Sequence, residues 1–237
     1  MRPSIFILIA LLLSCFQVLT SQDVYTVSNG ELLFQFSDTQ IDGQDVSDQM
    51  RFTMFFNYGQ NWHLDFNNTA GIFTGIAVRN VGFIYDEDQP LQKTIRRSYT
   101  LGVPLALKIG SFKHHFYLFG GGEYELLFHY KAKRWYSHER EGTKIKDSEW
   151  FSNKTNRFVP SVFAGIQFPG GINLKLKYYL DDFLNTGYVG RDLGIDNVSF
   201  ARYTKQEMFY FSVSWQFRTD KIRKYLPPAT REEIAQK

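Results

Sequence analysis

The chain has 237 residues, 43% hydrophobic and 22% charged, with 27 Lys and Arg against 24 Asp and Glu and a formal net charge of +3. This is the composition of one sizeable folded domain or two small ones, and the near balance of charge gives no basis for a nucleic-acid partner, which needs a clustered basic face. Aromatic residues reach 17%, with 23 Phe and 14 Tyr beside only 7 Pro. Such side chains favour pleated, half-buried surfaces and apolar–water boundaries, so the composition leans towards β-structure.

The first segment carries an export signal. Arg2 is followed by an apolar stretch over residues 5–13 and by small or polar residues at Thr20, Ser21 and Gln22, the layout of a secretory signal peptide over residues 1–21. Ser14 and Gln17 interrupt the run, which therefore falls short of the roughly 20 continuous apolar residues of a transmembrane anchor. Cys15, the only cysteine, is either lipidated at Leu-Leu-Ser-Cys or removed with the peptide. Removal is preferred, because Leu13 is bulky where lipoprotein sites carry a small residue. A mature chain without cysteine excludes a small disulfide-stapled fold.

Beyond the signal the dominant period is two. Over residues 51–66, Phe52, Met54, Phe56, Tyr58, Trp62, Leu64 and Phe66 alternate with Arg51, Thr53, Asn57, Asn61, His63 and Asp65. The pattern repeats over 94–110, where Ile95, Tyr99, Leu101, Val103, Leu105, Leu107 and Ile109 oppose Arg96, Ser98, Thr100, Gly102, Pro104 and Lys108. It returns over 114–131, and weaker versions over 31–37, 70–85, 157–168, 172–183 and 203–217 complete eight predicted strands. Several are 12 or more residues long, whereas strands of globular proteins centre on about 5 or 6 and a tilted membrane-spanning strand needs about 9 to 11. Glycines at 75, 102, 120, 121, 122 and 165 fall inside these strands, where they permit bending and close approach. The connections alternate: 67–69, 111–113 and 169–171 are tight, while 38–50, 86–93, 132–156 and 184–202 are long and polar. An even strand count with segregated loops predicts an all-β fold, a closed antiparallel eight-stranded up-and-down transmembrane barrel with short periplasmic turns and longer extracellular loops. It occupies 22–217, with a basic periplasmic tail over 218–237.

Alternation alone is compatible with an apolar face turned inward, as in a soluble lipocalin-like carrier, or outward towards lipid. Strand length, loop segregation and aromatics near strand ends favour outward. The predicted interfacial girdle is Trp62, Phe66, Tyr99, Tyr130, Phe168, Tyr203, Trp215 and Phe217. The predicted lumen set is Arg96, Lys108, Glu123, Glu125, His129, Lys175, Lys177 and Asp181, charges of both signs that can neutralise one another. On these features the chain resembles the small outer-membrane β-barrel proteins of Gram-negative bacteria, of the eight-stranded OmpA-like type. In that family an aromatic-ended last strand acts as a signal for the barrel-assembly machinery, and Phe209, Phe211, Val213, Trp215 and Phe217 match in type. The 20 residues beyond it depart from family members that end there. Thr230 and Glu233 suit a short helix after Pro227-Pro228, and a disordered tail is the plainer expectation.

Chemistry is sparsely signalled. Glu123, Glu125 and His129 have the residue types of an acid–base cluster, but lumen packing explains them better. Lipid-modifying barrels need a Ser–His pair facing lipid, and no predicted apolar face carries His beside Ser. His114 and His115, adjacent on a predicted strand, point to opposite faces and do not chelate a metal together. Within 132–156, Arg134, Trp135, Tyr136 and Trp150 are candidates for binding a glycan or a lipopolysaccharide phosphate. The expectation is a non-enzymatic envelope structural or interaction protein with a plugged interior, without cofactor or metal, its surroundings being outer-membrane lipid and lipopolysaccharide. The assembly machinery and a periplasmic partner of the tail are further expected contacts. A narrow pore, a lipid-modifying enzyme and a lipocalin-like carrier are the alternatives.

Overall fold

The computed structural model describes residues 23–219; the predicted signal peptide, Cys15 and all but the first two residues of the predicted tail lie outside them. Eight strands make the wall: β1 Asp23–Ile41, β2 Tyr58–Asp65, β3 Ala70–Asp88, β4 Leu91–Ser111, β5 Phe116–Trp135, β6 Phe158–Gln167, β7 Ile172–Tyr179 and β8 Tyr203–Arg218. Each pairs antiparallel with the next in chain order, and β8 returns to β1 from Val27↔Arg218 to Ile41↔Tyr203. The ring of strands is closed, which pairs the staves through the barrel's lower and middle height.

Outward side chains of β4 from Leu101 to Ile109 are 38–66% exposed, whereas Thr100, Ala106 and Lys108 between them are at most 3% exposed. The apolar face therefore looks outward, and the inward-facing arrangement of a lipocalin-like carrier is not the one this chain adopts. Tyr99 to Ile109 spans ten residue steps, about 34 Å along the strand. At a tilt of about 40° that is about 26 Å of height, against about 25 Å for the lipid-facing band of an outer-membrane barrel. Close approach of β4 and β5 depends on Gly121, where a Cβ would lie 2.0 Å from the Leu105 carbonyl oxygen and 2.6 Å from Ala106 Cα.

Several boundaries differ from the sequence expectation. The first strand runs over 19 residues, well beyond 31–37. Its lower half lacks an apolar outward row, so alternation there is silent. The 86–93 segment is a tight hairpin that stays paired to Asp88↔Leu91. Its polar residues bond across the strands, as Asp86 does with Lys93 at 3.1 Å. Within 51–66 the ladder breaks: Arg51–Thr53 pairs with β1, β2 starts at Tyr58, and between them Phe56 takes a φ of 64°. The 132–156 segment contains sheet, because β5 continues to Trp135 and pairs with an extension strand, Lys144–Trp150. The 184–202 loop holds a hairpin of Val189–Asp192 with Ile195–Ser199. His114 and His115 lie at a turn of 3-10 helix, not on a strand.

Candidate functional site

The lumen is filled in layers, because alternate residues of every strand project into a bore only wide enough for side chains. Nearest the short turns, Lys108 Nζ lies 2.8 Å from Tyr25 Oη and 3.1 Å from His63 Nδ1, and pairs with Asp65. Around and above it Phe73, Tyr117, Phe119 and Phe163 form an aromatic layer with Ala106.

At mid-height three carboxylates meet three cations. The Arg79 guanidinium donates through Nε to Glu31 Oε2 at 3.0 Å, through Nη1 to Glu125 Oε1 at 3.2 Å, and to Glu123. Lys175 Nζ donates to Glu31 Oε1 at 2.9 Å. Lys177 Nζ sits 2.8 Å from Glu123 Oε2 and 2.9 Å from Glu125 Oε1. All six side chains are buried, and their charges sum to zero. Gly102 leaves the room this needs, since a Cβ there would lie 2.0 Å from Glu123 Oε1. The spaces beside this layer are water-sized: one of about 20 Å³ below, against Phe73 and Phe119, and one of about 10 Å³ above, against Val81 and Leu127.

A second, larger apolar layer including Leu33, Leu127, Phe183, Leu184 and Met208 lies above the network. Into it projects Arg96, which Asp192 of the 189–199 hairpin meets at 2.7 Å, both side chains fully buried. Arg96 also donates to Tyr203 Oη at 2.8 Å, to Tyr85 Oη at 3.3 Å and to Tyr130 Oη, and stands 5.0 Å over the Phe200 ring. The hairpin is thereby fastened over the barrel mouth. Beside it, Lys154 of the 151–157 loop binds Asp147 and Glu149 of the extension strand. Burial lowers the Lys154 pKa, but those two carboxylates outweigh it and hold the ammonium above its ordinary value.

Of the predicted lumen residues, Arg96, Lys108, Glu123, Glu125, Lys175 and Lys177 face inward and each is in an ion pair. His129 and Asp181 do not. A β-bulge between Tyr99 and Thr100, where β5 carries Phe128 as an extra residue, reverses the facing of everything above it. His129 is turned to the outer wall, stacked 4.0 Å from Trp150, and Tyr130, predicted in the girdle, is turned into the lumen. A second bulge, at Ile41↔Tyr203, turns Tyr203 inward in the same way, where its hydroxyl lies 2.7 Å from that of Tyr85. Asp181 is exposed, because β7 ends at Tyr179. The other girdle residues, Trp62, Phe66, Tyr99, Phe168, Trp215 and Phe217, are on the outer face, all but Tyr99 in the short-turn half. The loop candidates are scattered: Arg134 and Trp135 are buried, Tyr136 is exposed, and Trp150 covers His129 lower on the wall.

The bulge also brings a histidine beside a serine on the outer face, contrary to expectation: His129 Nε2 lies 3.0 Å from Ser148 Oγ. Glu31 and Arg79 are network members the sequence reading did not single out. Their signal was available, since each occupies an inward position of a period-two strand. Asp192 lies in a loop, where no periodicity marks it.

A scan against protein-family models finds no match, and a search of curated proteins finds none. Among solved structures the chain is similar to Ail, the attachment invasion locus protein of Yersinia pestis, in a complex with the heparin analogue sucrose octasulfate. That match has 18% identity, covers 82% of this chain and 98% of that one, and has a TM-score of 0.37. OprG, an outer membrane protein from Pseudomonas aeruginosa, matches at 12% identity over 82% of this chain and 95% of its own, TM-score 0.38. Neisserial surface protein A matches at 9% identity over 84% and 99%, TM-score 0.38. The closed eight-stranded barrel rests on this chain's own strand ladder.

Proposed function

We propose that this protein is an integral outer-membrane barrel of the structural or interaction kind, with a sealed interior and no catalytic turnover. The observation that carries the reading is the combination of an outward apolar band about 26 Å high with a lumen closed by the Glu31–Arg79–Glu123–Glu125–Lys175–Lys177 network. An exposed apolar surface of that height has no use in water and matches the hydrocarbon it would displace. A bore packed with neutralised charge and aromatic layers suits a scaffold better than a conduit. Its surroundings are then outer-membrane lipid and lipopolysaccharide, and Phe209, Phe211, Val213, Trp215 and Phe217 of β8 form the outward apolar, mostly aromatic row offered to the assembly machinery. Membrane fractionation with boiled and unboiled gel mobility tests this reading. Outer-membrane recovery with a shift on boiling is expected; a soluble protein with no shift contradicts it.

A second reading, lipid ester hydrolysis, has one observation in its favour, the His129–Ser148 contact on the outer wall. Against it, no carboxylate orients His129 Nδ1 among the described residues. Fatty-acid release from phospholipid or lipid A vesicles that is abolished by Ser148→Ala would establish this reading in place of the first.

A further inference from the structure

The charges of the upper wall are sorted by side. Above Tyr99, the residues facing away from the lumen on β4, β5 and the Lys144–Trp150 extension include Arg97, Lys131, Lys133 and Lys146. Strand register sets them next to one another, with Arg97 opposite Lys131 and Lys133 opposite Lys146. The acids of the same extension point the other way: Asp147 and Glu149 stand opposite Ala132 and Tyr130 and are held by Lys154. Among the described residues no carboxylate pairs with any of the four cations; Lys131 Nζ has only the Tyr99 ring, 5.2 Å away. The far side of the barrel differs. There, above the outward Phe36–Phe209 stack, Lys205 is bonded to Asp38 at 2.6 Å and lies 3.8 Å from Glu207.

Like charges directly opposite each other on a sheet destabilise it, so an array of four without an acid is a surface awaiting an anion. Its height says which anion. Tyr99, His129 and Trp150 form an aromatic cluster at the top of the apolar band, and Arg97 is two residues higher, about 5 Å up at a tilt of about 40°. That is headgroup level. Beside the array runs a groove of about 410 Å³ whose walls are apolar at Phe52, Ile84 and Ile95 and cationic at Arg97, Lys133 and Arg140. Cations directly above an exposed apolar band suit an amphiphile better than a free ion.

The geometry points to a lipid site: Arg97, Lys131, Lys133 and Lys146 bind the phosphates of a phosphorylated, multiply acylated outer-leaflet lipid of the lipid A class, whose chains lie against the apolar band below. This rests on the outer-membrane reading and adds a named ligand class and position to it.

The test uses the full-length protein inserted in phosphatidylcholine nanodiscs, titrated with lipid A and with dephosphorylated lipid A, and bound lipid is counted by native mass spectrometry. Wild type is compared with the Arg97→Gln, Lys131→Gln, Lys133→Gln, Lys146→Gln variant and with Lys205→Gln. Because each surface cation attracts the anionic headgroup, wild type should bind lipid A at least about tenfold more tightly than the fourfold variant. Lys205→Gln should match wild type. Dephosphorylated lipid A should bind wild type at least about tenfold more weakly than lipid A, a result that needs no variant to fold. Equal binding of lipid A by inserted wild type and fourfold variant overturns the proposal alone. Displacement of lipid A by equimolar inorganic phosphate overturns the lipid assignment. A chain that stays out of the bilayer and shows no boiling shift overturns the outer-membrane reading, and this proposal with it.

Discussion

At mid-height in the lumen, three carboxylates and three cations neutralise one another within one buried network. Across the upper outer wall of β4, β5 and the Lys144–Trp150 extension, four cations have no acid among the described residues. The difference follows from what can reach each place. At mid-height no outside ion arrives, so the carboxylates taken from water are met by cations of the chain itself. On the wall a partner can come from outside the chain, and the cations can be left open. Neutrality of the mid-height network and imbalance on the upper wall are what the proposed sealed, lipid-binding barrel requires.

Removing Arg79 should break the comparison most severely. Arg79→Met leaves three buried carboxylates facing two lysines, and about 3–5 kcal/mol of stability should be lost, read by denaturant titration of gel mobility or tryptophan fluorescence. Next comes the cap. Asp192→Ala deprives Arg96 of its carboxylate but leaves the hydroxyls of Tyr85, Tyr130 and Tyr203, so the loss should be smaller, about 1.5–3 kcal/mol, with faster proteolysis of the 189–199 hairpin. Neutralising the four outer cations should change stability in lipid-free detergent by less than about 1 kcal/mol, and a gain is allowed because like-charge repulsion disappears. A loss as large as that of Arg79→Met would erase the distinction between the two regions.

The smallest effect concerns pH. Because the folded state raises the Lys154 pKa, its pairing with Asp147 and Glu149 contributes fully below the unfolded lysine value of about 10.4. The contribution is lost as pH rises through the higher folded value. Proteolysis of the 151–157 loop should therefore stay slow through neutral and mildly alkaline pH and accelerate only beyond it.

Strand number, loop segregation and most inward charges follow from period-two alternation, because a narrow barrel sends every second residue to one side. That logic carries Glu123, Glu125, Lys175 and Lys177 to the lumen without knowledge of their partners. It fails where an extra residue enters a strand. One bulge at Phe128 turns His129 out and Tyr130 in, and another at Thr204 turns Tyr203 in, although neither residue has turn chemistry to mark the change. Polarity misleads in a different way at 86–93 and 144–150, where the barrel wall stands above the apolar band: both faces are polar there, so strand and loop look alike. Arg97, Lys131, Lys133 and Lys146 belong to this region. Their segregation from Asp147 and Glu149 emerges only when register assigns sides.

Single-channel recording of the inserted full-length chain in a planar bilayer tests the sealed lumen most directly. Proteoliposome insertion confirmed by the boiling shift, with no unitary conductance steps, is the predicted result. Stable, reproducible steps from wild-type protein would contradict it, because ions cannot cross while the Glu31–Arg79–Glu123 network and the aromatic layers on either side of it stay closed.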